Sequence, residues 1–158
     1  METATKTFTI DYREYASIEA LAADDRELME AAIAATATAY APYSHFSVGA
    51  ALRLDDGTIV SGSNQENIAY PSGLCAERTA LFAAGAQHPD SRVATLAIVA
   101  RDPQGSLAEA SPCGACRQVL VETQQRGQAP IRTLLYLSEG RIREIADARQ
   151  LLPFSFSM

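Results

Sequence analysis

Three cysteines, Cys75, Cys113 and Cys116, constrain this chain most, because they stand at the starts of two segments that read as helices. CAERTALFAAGAQ begins at Cys75, and PCGACRQVLVETQ carries Cys113 and Cys116, with Pro112 preceding its first turn. A helix start leaves N–H groups unpaired and presents the positive end of the helix dipole, which favours thiolate over thiol. Two such starts facing each other place three thiolates around one divalent ion. Zinc with three protein ligands keeps its fourth tetrahedral position for water, the pattern of a catalytic rather than a structural site. Glu77 follows Cys75 by two residues, close enough to reach that water without binding the metal. The fold must therefore bring two distant helix starts together.

Three thiolates overcompensate the charge of a zinc ion. Arg78, adjacent to Glu77, and the helix N–H groups are placed to offset the excess by hydrogen-bonding the sulfurs. The lesser alternative, read from position alone, is that Arg78 is a solvated helix residue. Three cysteines cannot all pair, and a cytosolic chain keeps few disulfides. A redox CxxC pair would leave Cys75 and Glu77 without a purpose. A closed structural Cys3His site would need His45 or His88 as fourth ligand, and neither has motif spacing to the cysteines.

The chain has 158 residues, which suits one compact domain, and 47% of them are hydrophobic, an ordinary share for a globular protein. No apolar run approaches the ~18 residues of a membrane span. METATKTFTIDYREY lacks a cationic start followed by an apolar stretch, so the expected location is the cytoplasm. Basic residues are scattered and outnumbered, 13 against 19, with a net charge of −6. A nucleic-acid binder carries a basic stripe, so a small molecule is the expected partner and a polynucleotide is not.

Residues 1–24 read as an irregular lead-in to a domain over 25–158. An alanine-rich helix is expected from about Asp25 to Tyr40, stopped by Pro42. HFSVGAALRL and TIVSGSN read as strands joined by the turn Asp55-Asp56-Gly57. RVATLAIVA between the cysteine helices, then IRTLLYL and GRIREI, supply three more strands, and ADARQLL a last helical turn before Pro153. This order predicts an α/β fold, a mixed five-stranded sheet with helices on both faces in three layers.

Four segments, YAPYSHFSVGAAL (40–52), SNQENIAYPSGLCAERTALF (63–82), SPCGACRQ (111–118) and LLPFSF (151–156), together resemble the small homotetrameric, all-cysteine branch of the cytidine deaminase family. The resemblance runs from about Asp25 to Phe156. It implies the three-layer cytidine-deaminase-like fold and a zinc-dependent hydrolase that converts cytidine or deoxycytidine to the uridine counterpart plus ammonia, in pyrimidine salvage. It implies one Zn2+ per chain on Cys75, Cys113 and Cys116, with Glu77 carrying protons from water to ring N3 and to the departing amine. By the same likeness the Ala76 N–H holds the base carbonyl, the Ser111 carbonyl faces the amino group, and Phe46 packs on the pyrimidine. Asn64 and Glu66 match the N-x-E pair that binds the ribose hydroxyl.

The resemblance further implies a homotetramer with shared sites, in which the loop Ile68 to Tyr70 and the aromatic Phe156 reach a neighbour's pocket. Two positions depart from the family pattern. Ile68 replaces a small residue, and Phe154 stands where the tail is usually small, leaving either phenylalanine as the inserted one. From the residues alone, Asn64 and Glu66 read as turn residues, and Phe46 as a core residue opening an alternating strand. Other readings stay open: a deaminase of another small amine, such as a modified nucleoside or nucleoside antibiotic, or a non-catalytic zinc-stabilised binding module. The ribose pair argues against a free base, the acidic charge against tRNA or DNA editing. The binding module gives Glu77 no role.

Overall fold

The computed structural model describes residues 3–157. Its elements run β1 (Arg13–Tyr15), α1 (Ala23–Ala35), β2 (Ser47–Leu54), β3 (Ile59–Ser63), α2 (Ala76–Gln87), β4 (Val93–Arg101), β5 (Leu107–Ala108), α3 (Gly114–Gly127), β6 (Arg132–Tyr136) and β7 (Ile142–Ile145), and a 3-10 turn, Ala148–Leu151, follows. The strands lie in the order β1-β7-β6-β4-β2-β3, with β5 alongside β4. The β4–β6 pair is parallel and the others are antiparallel, so the sheet is mixed.

Side-chain alternation sorts the core into two halves. Leu96, Ile98 and Ala100 of β4 pack with Ala80 and Leu81 of α2 and Leu120 of α3. Ala97 and Val99 face the other way, against Leu28, Met29 and Ala32 of α1. Helices thus cover both faces, which is why β4 is apolar nearly throughout. Among the described residues, no helix is long and apolar enough to cross a membrane.

The sheet has seven strands where the pattern predicts five. β1 carries no hydrophobic alternation because polar contacts hold it: Tyr15 Oη donates to Glu144 (2.6 Å), and Glu14 pairs with Arg141 (3.1 Å) and Arg143 (2.7 Å). β5 has two residues, too few to show a period. The first helix also stops earlier than its alanine content suggests. The Thr36 and Thr38 hydroxyls donate to the carbonyls of Ile33 (2.7 Å) and Ala35 (3.0 Å), and the chain tightens into a 3-10 turn.

One glycine sets the position of α2. A Cβ on Gly62 of β3 would stand 2.5 Å from Ala80 N and 2.8 Å from Ala76 O. With hydrogen there instead, the first turns of α2 rest directly on β3. Cys75 and Glu77 are carried on that seat.

Candidate metal centre and adjoining cleft

Cys75 is the residue that caps α2 and Cys113 the one that caps α3, both in extended backbone conformation (ψ 157° and 169°). Neither side chain bonds its own helix, so both sulfurs are free to turn toward a ligand. Cys116 lies in the first turn of α3 and is buried. The three sulfurs lie within 4.8 Å of one another, with Cys75 and Cys113 at 3.8 Å. A disulfide needs about 2.05 Å. A tetrahedron with zinc–sulfur arms of about 2.3 Å has edges of about 3.8 Å, so the donor set fits zinc. Neither His45 nor His88 joins the group among the described residues. His88 follows the far end of α2, whose 12 residues span about 18 Å. The closed Cys3His alternative therefore finds no fourth ligand there.

Arg78 Nη2 donates toward Cys75 Sγ at 3.7 Å, and Arg78 Nε is buried without a partner. The Cys116 thiol beside it pulls the Cys75 thiol down to about 5; burial opposes this and the Arg78 guanidinium assists. Cys116 is pushed up in turn, first by its hydrogen bond to Cys75 and then by burial. A lowered Cys75 thiol favours binding a cation as thiolate. Glu77, in the first turn of α2, is 4% exposed. Burial pushes its carboxyl up to about 7, its own backbone N–H opposing and the Cys75 charge adding. A carboxyl balanced there can both accept and release a proton.

A cleft of about 470 Å³ adjoins Cys75 and Arg78, with Tyr43, Ser44, Asn64, Glu66 and Tyr70 in its walls. Glu66 accepts from the backbone N–H groups of Tyr43 (2.9 Å) and Ser44 (3.3 Å) and from the Ser44 hydroxyl. These bonds hold its carboxyl below the usual glutamate range, the Ser44 hydroxyl foremost. Asn64 bridges the start of β2: its Oδ1 accepts from Val48 N (2.8 Å) and its Nδ2 donates to Phe46 O (2.9 Å). The Tyr43 and Tyr70 rings meet edge to face at 6.1 Å. Tyr43 and Ser44 were not distinguishable as cleft residues in the sequence, because their partner Glu66 lies 22 residues downstream of Ser44.

Cys75, Cys113, Cys116, Glu77 and Arg78 are therefore brought together, and Asn64, Glu66 and Tyr70 stand in the cleft beside them. Ala76 is buried at the start of α2, and Ser111 is exposed just before the capping turn of α3. Phe46 packs partly buried against the core beneath α2 and α3, outside the cleft walls. Ile68, Tyr70 and Phe156 are exposed at 81%, 76% and 76%.

A family profile described as the cytidine and deoxycytidylate deaminase zinc-binding region matches residues 22–128. Cytidine deaminase of Halalkalibacterium halodurans is 43% identical over 136 residues, covering 85% of this chain and 95% of that protein. Cytidine deaminase of Sporosarcina psychrophila is 50% identical over 121 residues, covering 75% and 81% respectively. The crystal structure of cytidine deaminase from Burkholderia pseudomallei superimposes with a TM-score of 0.70 at 43% identity, over 82% of this chain and 97% of that one.

Proposed function

The chain belongs to the family of zinc-dependent cytidine and deoxycytidylate deaminases, and on that premise we propose how its own residues remove the amino group of cytidine and deoxycytidine. The reaction is a hydrolysis: water adds at C4 of the ring and ammonia leaves, giving uridine or deoxyuridine. The observation that carries this reading is the cluster of three sulfurs with buried Glu77 two residues beyond Cys75. Cys75, Cys113 and Cys116 hold the zinc, which when bound acts as a Lewis acid that activates the water. Glu77 moves the protons. It takes one from the water and passes it to N3, then carries the proton of the new C4 hydroxyl to the departing amine. Arg78 holds the Cys75 sulfur and offsets the charge of the thiolates.

The Ala76 N–H is assigned to the base carbonyl, the Ser111 carbonyl to the amino group and Phe46 to the ring face. Asn64 and Glu66 are assigned to the ribose hydroxyl; their place in the cleft beside Cys75 supports this. Residues 25–158 are taken as the catalytic domain and 1–24 as its lead-in, of which Arg13–Tyr15 adds an edge strand to the sheet and Ala23 and Asp24 open α1. The working unit is a homotetramer in which Ile68, Tyr70 and Phe156 complete a neighbour's site. Support comes from the exposure of these three large apolar side chains on the isolated chain. Its place is pyrimidine salvage in the cytoplasm, and the acidic charge favours a free nucleoside over a polynucleotide. Loss of absorbance near the cytosine maximum, followed with cytidine as substrate, tests the reading. Turnover that requires one zinc per chain is expected, and a zinc-loaded protein that leaves cytidine intact would refute it.

A further inference from the structure

The C-terminal tail is tied to its own chain by its backbone while its rings face outward. Arg117 of α3 donates from Nε to Pro112 O (2.8 Å) and from Nη1 to Leu151 O (3.0 Å), fixing the point where the tail departs. Beyond Pro153 the chain turns at Phe154, which has φ 59° and is fully exposed. Gln118 then grips Phe156 at both backbone groups. Its Nε2 donates to Phe156 O (3.0 Å) and its Oε1 accepts from Phe156 N (3.2 Å). One side chain thus supplies the two-point pairing that a neighbouring strand would give. Two bonds to one residue fix the rotation of its peptides, and so the direction in which its side chain leaves the chain. The ring that leaves is presented to solvent.

Resting on the shared-site reading above, we propose that Gln118 is a positioning residue: its carboxamide sets Phe156 in the orientation in which it enters the neighbouring subunit's nucleoside pocket. The same contact selects Phe156 over Phe154 as the inserted ring, because among the described residues no hydrogen bond holds the Phe154 backbone. A tail ordered beforehand gives up less conformational freedom on docking than a loose one. Gln118 also sits two residues after Cys116, so the metal-binding turn and the tail share one helix start.

The test is a cycle on the zinc-loaded oligomer. Gln118→Leu keeps the size and removes both bonds. It should raise the KM for cytidine roughly tenfold, the effect of one or two net hydrogen bonds, with smaller change in kcat and one zinc per chain retained. Gln118→Glu keeps the acceptor and loses the donor, so it should fall between, and it carries the cycle if the leucine variant does not fold. In a Phe156→Ala background, Gln118→Leu should add nothing. Additive effects, lost zinc or a wild-type KM in Gln118→Leu would each overturn the assignment. Phe156→Ala with an unchanged KM would instead overturn the shared-site reading itself, and Gln118's role with it.

Discussion

Gly62→Ala tests how the metal centre is seated, because the structure gives the size of the conflict. The added Cβ would meet Ala80 N at 2.5 Å, Ala76 O at 2.8 Å and Ala80 Cα at 3.0 Å, where ordinary contact begins at 3.4 Å. All three are backbone atoms, so no side chain can swing aside and α2 must lift by up to 0.9 Å (3.4 − 2.5). Overpacking of this kind costs about 1–3 kcal/mol. The displacement moves Cys75 away from Cys113 and Cys116, which ride on α3, while metal–ligand distances tolerate only about ±0.2 Å. Apparent zinc affinity should therefore fall by about 10- to 100-fold or more. Chelator competition reads the affinity, and urea unfolding at buffered zinc reads the stability. Gly85→Ala, inside α2 itself, is the control. Its Cβ meets only the flexible end of Arg126, at 3.3 Å, and helix formation should gain about 0.5–1 kcal/mol. Wild-type zinc affinity in Gly62→Ala, or an equal loss in Gly85→Ala, would refute the idea that this close approach positions Cys75.

Glu77→Gln keeps the size but cannot carry a proton, so zinc should stay bound while kcat falls about 10²–10⁴-fold; near-normal turnover would remove Glu77 from proton transfer. Cys75→Ala, Cys113→Ala and Cys116→Ala should each lose the metal, whereas His45→Ala and His88→Ala should keep one zinc per chain by elemental analysis. Asp147 is held down to about 2 from 3.8, chiefly by Arg149. Its share of stability is complete above the ordinary value and lost as pH falls toward 2, so the gap between wild type and Asp147→Asn should close on acidification; parallel unfolding curves would contradict this. Deleting residues 154–158 should raise KM while zinc is retained, and mixing that truncation with Glu77→Gln protein should restore part of the activity. No recovery after demonstrated subunit exchange would end the shared-site reading.

What the sequence made legible follows the range of the forces involved. The cysteine helix starts could be read because capping and dipole effects act within one turn, and β4 because burial on both faces leaves a long apolar run. The Asp55-Asp56-Gly57 turn was legible because Gly57 takes φ 89° there. The contacts that escaped are side-chain bonds across long separations. Tyr15 meets Glu144 and Ser44 meets Glu66 with no local pattern to announce either, and Gln118 reaches Phe156 over 38 residues. Asn64 is instructive because a residue that reads as a turn former uses its carboxamide to bridge Phe46 and Val48, holding the first residues of β2 against the end of β3.

The same economy appears on α3, where four residues in two turns tie the metal to the tail. Cys113 and Cys116 supply sulfur, Arg117 ties the Pro112 carbonyl to that of Leu151, and Gln118 grips Phe156. Arg117 links the two regions directly, since one guanidinium bonds both the segment entering the CxxC turn and the start of the tail. A force that pulls Cys113 and Cys116 out of place must also move Pro112 O and the Leu151 carbonyl bonded through Arg117. The metal-binding turn and the departure of the tail are thus held by neighbouring side chains of one helix start.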